Sequence, residues 1–248
     1  MRKPLSLLAL LFVLFSATCF AQKAAKQPPN YTALKHLFEK QSGVNRYDSL
    51  LSRFRVADTS LSIGEYRLLY YGYFFRPDFS EDDGGAAMDS IRALYNRDSL
   101  STGDWRGVAH YARLAIDTAP YSLRAHRALI NAHRVLGDSM LYRQYEVRRD
   151  GILDAILSTG DGRSDSTAFH VISVSHEYDL LGLFGFQSKG QSLTANLCDY
   201  VKLEENKYGL AGLYFDVSQL FEVRQRTWFG KDGPTFPNSP DKKGKSKR

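Results

Sequence analysis

The period of the apolar residues changes once along this chain, and that change limits the fold more than any other feature. Over residues 31–157 apolar side chains recur at helical spacing. Leu34, Leu37 and Phe38 mark one face of a first helix, and Tyr47, Leu50, Leu51 and Phe54 mark a second. Ser62 followed by Glu65 forms a capping box, in which each side chain satisfies a free backbone N–H of the other's turn. The helix behind it carries Tyr66, Tyr70, Tyr71, Tyr73, Phe74 and Phe75, a crowded aromatic set that reads as core. Pro77 ends it, 78–85 is a loop, and further helices are expected at 86–95, 122–136 and 139–157. The run Ser158-Thr159-Gly160-Asp161-Gly162 is read as ending the last of these, with a glycine supplying the left-handed stop.

Beyond Gly162 the pattern becomes that of strands. Residues 168–174 form a β-branched apolar run expected as a buried strand. Residues 176–184 lean towards a short helix begun at Ser175. Residues 193–204 alternate, with Leu193, Ala195, Leu197, Val201 and Leu203 on the apolar face and Cys198 on the polar one. A turn at 206–209 returns the chain as a hairpin partner over 210–217. Helices first and strands later predict an α+β fold. The helical layer would cover 31–158 and a small antiparallel β-sheet 166–220, within one domain spanning 31–230.

The ends carry the charge and the address. Arg2 and Lys3, an apolar run over 5–15 and small residues ending in Ala21 have the layout of a secretory signal peptide over 1–21. The run is shorter than the ~20 apolar residues of a membrane span. A lipoprotein signal would end in Cys19, but Ser16 and Thr18 stand where it carries Leu and a smaller residue, so plain cleavage and export to the periplasm or beyond are expected. Residues 22–30 read as a linker, and 231–248 as a disordered basic tail. Of the formal net charge of +6, Arg2 and Lys3 carry two and the tail four, which leaves none for 22–230. That balance argues against nucleic-acid binding by the body of the protein. Cys198 would be the one cysteine left after cleavage, so an apolar core and no disulfide must hold the mature chain.

Two resemblances follow from the residues. Gly103-Asp104 recurs 34 residues later as Gly137-Asp138, which is the tetratricopeptide period. Trp105, Val108, Tyr111, Ala112, Ala115, Leu129 and Ala132 fall near that repeat's packing positions, with Val108 and Ile130 larger than its usual residues. The hairpin at 103–138 therefore resembles one tetratricopeptide unit. Gly160-Asp161-Gly162, the strand at 171–174, Glu177-Tyr178, Tyr214-Phe215-Asp216 and Tyr71-Gly72-Tyr73 resemble an exported Bacteroidetes family, domain of unknown function 4919. The resemblance implies export and an unassigned activity, and it transfers no catalytic residue.

Of the candidate sites, one stripe stands out. Arg124, Arg127, Asn131 and Arg134 recur at i, i+3, i+7 and i+10 on the helix at 122–136. Guanidinium forks bind carboxylates in pairs of hydrogen bonds, so an acidic peptide or chain terminus is the expected ligand. The other reading of the stripe is a solvated face, or arginines paired with acids of a neighbouring element. His170 and His176, with Glu177, flank the expected strand, but neither an extended nor a helical segment lets both share a site. Asp161, Arg163, Asp165 and Ser166 lack the ligand number of a calcium loop. No metal, cofactor or catalytic motif occurs. The function expected is an exported, non-catalytic interaction or scaffold protein binding a protein or acidic peptide partner. The alternative is an envelope hydrolase with a site around His170 or His176.

Overall fold

The computed structural model describes residues 26–229. The signal peptide with Cys19, residues 22–25 of the linker and the basic tail lie outside them. Nine helices and four strands follow one another among the described residues. The first three helices are α1 (Tyr31–Phe38), α2 (Gln41–Arg55) and α3 (Ile63–Gly72), and a 3-10 turn over Tyr73–Phe75 ends the third. Ser62 and Glu65 form the expected capping box, a device worth about 1 kcal/mol. α4 (Gly85–Tyr95), α5 (Thr102–Thr118), α6 (Leu123–Val135) and α7 (Ser139–Leu157) then pack each against the next.

Two apolar clusters hold these elements. Tyr47, Phe54, Leu69, Tyr70, Tyr71 and Ile152 anchor the larger one, which continues into the sheet through Phe169, Val201 and Phe215. The aromatic set of α3 is core, as its crowding implied, with Phe75 half-buried. The second cluster joins α4, α5 and α6 through Ile91, Val108, Ala112, Leu129 and Ala132. Small residues on both α5 and α6 let these helix surfaces approach closely.

The strand half departs from the sequence reading in four ways. The sheet is mixed, not antiparallel. Its order is β1-β4-β3-β2, with β1 (Phe169–His170) parallel to β4 (Gly212–Asp216) and the remaining pairs antiparallel. The run 168–174 keeps only those two residues in a strand. Val171 donates to the Asp216 carbonyl and the Ile172 N–H to the Tyr70 hydroxyl, so irregular backbone is satisfied while both side chains stay buried. The alternating stretch 193–204 is a hairpin: β2 (Ser188–Leu193) turns over 194–197 into β3 (Cys198–Leu203). Leu193 is therefore exposed and Cys198 buried, the reverse of the expected faces. Burial pushes the Cys198 thiol up to about 12, which leaves it an inert core side chain. Finally, α9 (Ser218–Phe229), led by the Asp216 side chain accepting from the Ser218 N–H and hydroxyl, closes the described chain where no helix was expected. The helix at 176–184 is present as α8 (Ser175–Phe184).

Candidate functional site

The N-cap of α6 sets the geometry. Ser122 accepts from the Ala125 N–H and is itself buried, which pins the first turn against the core. Arg124, Arg127 and Asn131 then face α4, whose Met88, Ile91, Arg92 and Tyr95 recur at i, i+3, i+4 and i+7. Together these residues line a groove of about 210 Å³. Ile91 and Ala128 in its lining are buried, the side chains of Arg92, Arg124 and Arg127 complete it, and the Tyr95 hydroxyl meets Asn131. Arg134 does not join them. It turns to α7, 3.1 Å from the Tyr142 hydroxyl, 4.0 Å from Glu146 and with its guanidinium over the Tyr142 ring. The stripe read from the sequence is thus split. The contribution of α4 was missed, although its own helical stripe was legible.

Two acids lie beneath the arginines. Asp179 of α8 is 3.5 Å from Arg124 and 3.6 Å from Arg127. Burial holds its carboxyl above the ordinary value, although His176 and both arginines draw it down. Neither distance is that of a good hydrogen bond, and Asp179 Oδ2 has none. Arg127, 58% exposed, lines the groove with its Nη2 towards Asp179. Asp83, from the loop before α4, is 3.9 Å from Arg124 and accepts from the Ser175 hydroxyl at 2.8 Å. Burial pushes Asp83 up, but His176, Ser122 and Ser175 outweigh it, so its carboxyl lies below the usual value.

The two histidines stay apart, as the spacing required. His176 is enclosed. The Tyr70 hydroxyl and His176 Nδ1 are hydrogen-bonded at 2.6 Å, and His176 Nε2 lies 3.7 Å from Asp83, beyond hydrogen-bond reach. The hollow beside it measures about 10 Å³, room for one water and no substrate. His170 lies between Tyr31, at 3.4 Å, and Asp216, at 3.7 Å, with its protonation disfavoured by burial. Replacing Tyr70 by Phe strands His176 Nδ1 and the Ile172 N–H inside the core. At about 1–3 kcal/mol for each orphaned group, the loss is readable as a lower denaturant midpoint. An unchanged midpoint would show that these bonds contribute nothing.

The loop at 161–166 is tied to its own turn and to the sheet. Asp161 accepts from the Arg163 N–H, and Asn196 donates to Asp165. Among the described residues no group of three or more His, Cys, Asp or Glu could hold a metal ion, and no helix is long and apolar enough to cross a membrane.

A helical layer backed by a small mixed sheet makes this an α+β protein. The chain belongs to the family described as Domain of unknown function (DUF4919), whose model matches residues 33–226. No curated protein and no solved structure matches it.

Proposed function

We propose that the protein works after export as a non-catalytic interaction module of a Bacteroidetes cell envelope, taking an acidic segment of a partner protein in the groove between α4 and α6. One observation carries the reading. Arg92, Arg124, Arg127 and Asn131 line one groove together with the buried Ile91 and Ala128, and Arg127, 58% exposed, is held by an ion pair with Asp179 at 3.6 Å, longer than a good hydrogen bond. Charged donors around a desolvated floor hold a carboxylate more strongly than the same groups in open water. The likeness of 103–138 to a tetratricopeptide hairpin belongs to the same proposal, since such hairpins line grooves that hold peptides. The signal-like residues 1–21 support export. A hydrolytic site at His176 has no comparable support, because its hollow admits no substrate.

The test is fluorescence anisotropy of a labelled oligoglutamate peptide with blocked ends, titrated with the full chain. Arg127→Ala is expected to weaken binding about tenfold or more, the loss of a charge-assisted contact. Arg134→Ala should leave it unchanged, because Arg134 serves α7. Rising salt should weaken it further. An Arg127→Ala protein that binds like wild type would overturn the reading, and so would a wild type that binds no acidic peptide.

A further inference from the structure

The α4–α6 groove does not end at Arg127. The same side chain also walls a second hollow of about 310 Å³, shared with Leu123, Leu153 and Asp179. That hollow ends at Leu183, which in turn walls a third. The third hollow holds about 770 Å³ and lies between the end of α8 and the β3–β4 turn. Phe184, Phe186, Tyr208 and Leu210 line it, with ring centroids 6.1 Å apart for Phe184 and Phe186 and 5.9 Å for Phe186 and Tyr208. Arg127 and Leu183, which the neighbouring hollows share, are 58% and 55% exposed, so both face solvent along the line of the hollows. Phe184, Phe186 and Leu210 also pack against the larger core, whereas Tyr208, 61% exposed, and Leu183 add apolar surface open to solvent.

We infer that these hollows form one trough, and that it takes an extended peptide whose acidic block sits at Arg92, Arg124 and Arg127 and whose aromatic or aliphatic anchor sits among Leu183, Phe186 and Tyr208. This rests on the acidic-segment reading above and adds the anchor to it. Charge decides the direction. The first groove is lined by three arginines. Arg92 is paired with exposed Asp89, while Arg124 and Arg127 meet Asp179, whose carboxyl burial raises, only at 3.5 and 3.6 Å. The third is mainly apolar, with Asp161 near Lys26 and Arg163. An acid is favoured at one end and an apolar ring at the other. An extended chain advances about 3.3 Å per residue, so a few residues bridge the middle hollow. Once the acidic block is bound, the anchor binds intramolecularly, and two weak contacts become one tighter one.

The experiment uses the oligoglutamate probe alone and the same probe joined to a Phe-Leu pair through flexible spacers of about two to eight residues. At the best spacer the joined peptide is expected to bind about tenfold tighter than the acidic block alone. Leu183→Ser and Tyr208→Ser, both exposed positions, should each remove that gain and leave the acidic block's own affinity unchanged. Arg127→Ala should weaken both peptides. A gain below about twofold at every spacer overturns the trough while leaving the acidic groove standing. A Phe-Leu peptide without acids that binds as tightly as the joined one also overturns it. Failure of the acidic block itself to bind is the different result that removes the groove reading.

Discussion

Replacing Glu177 by Gln is expected to leave stability nearly unchanged in acid and to raise it increasingly as pH climbs. Glu177 is wholly buried on α8 beside Asp199 of β3, where Gln191 Nε2 donates to its Oε2 at 3.3 Å and Oε1 has no hydrogen-bond partner. Burial, then the Asp199 charge and the hydrogen bond given to Asp199, push its carboxyl up to about 9. Asp199 is itself raised by burial. The folded state therefore keeps a proton on Glu177 that the unfolded chain has released. Between the ordinary carboxylate value and about 9 the folded form binds more protons, so this group's contribution falls as pH rises and is flat above that window. Each unit of the interval is worth ~1.4 kcal/mol, so the whole is on the order of several kcal/mol. Gln keeps the donor to Asp199 and has no proton to lose. His126, buried and held down to about 3, acts in the opposite sense, since its neutral folded form loses stability as pH falls below the ordinary histidine value. The wild-type curve is thus composite, and the difference between variant and wild type isolates Glu177. Thermal melts from about pH 4.5 to 9 should show that difference widening steadily. Parallel curves would mean that Glu177 is ionised in the folded protein.

The second large effect lies in the link between α7 and β1. Gly160→Ala is expected to cost about 3 kcal/mol or more, near the top of the range for single substitutions. An added Cβ would stand 2.0 Å from the Thr167 carbonyl oxygen and 2.3 Å from that of Ala168. Neither oxygen can retreat easily, because Thr167 O already accepts from the N–H groups of Asp161 and Gly162 at 2.9 and 2.8 Å. The left-handed residue of this link is Gly162, with φ of 69°, and not Gly160, which is needed for close approach instead. Urea unfolding measures the loss as a lower midpoint at unchanged slope. Gly64→Ala in α3, where nothing lies within 4 Å, is the control and should be neutral or stabilising by up to about 1 kcal/mol. Equal midpoints for Gly160→Ala and wild type would show that the 160–168 approach is not tight.

Much of the helical half was legible because each helix announces itself locally. The i, i+3, i+4 stripe of α1 and the capping box before α3 act within a few residues of themselves. The candidate groove was half legible for the same reason. Arg124, Arg127 and Asn131 share a face because a helix repeats, but Arg134 left them because Gly137 turns the chain and brings Tyr142 of α7 alongside. That α4 would be the opposite wall depended on how α4, α5 and α6 pack, which no spacing within α6 encodes.

The strand half was harder to read, because a strand's hydrogen-bond partners lie far away in sequence. Periodicity alone determined that this chain is helical first and sheet-bearing later, that Tyr66 to Phe74 form core, and that His170 and His176 share no site. Only the tertiary structure decided that β1 pairs in parallel with β4, that polar β2 is an edge strand, and that Cys198 and Glu177 are buried. The physical reason is common to all of these. Local periodicity records which face of an element is apolar, whereas burial and pairing are settled by whichever distant backbone and side chains come to cover it.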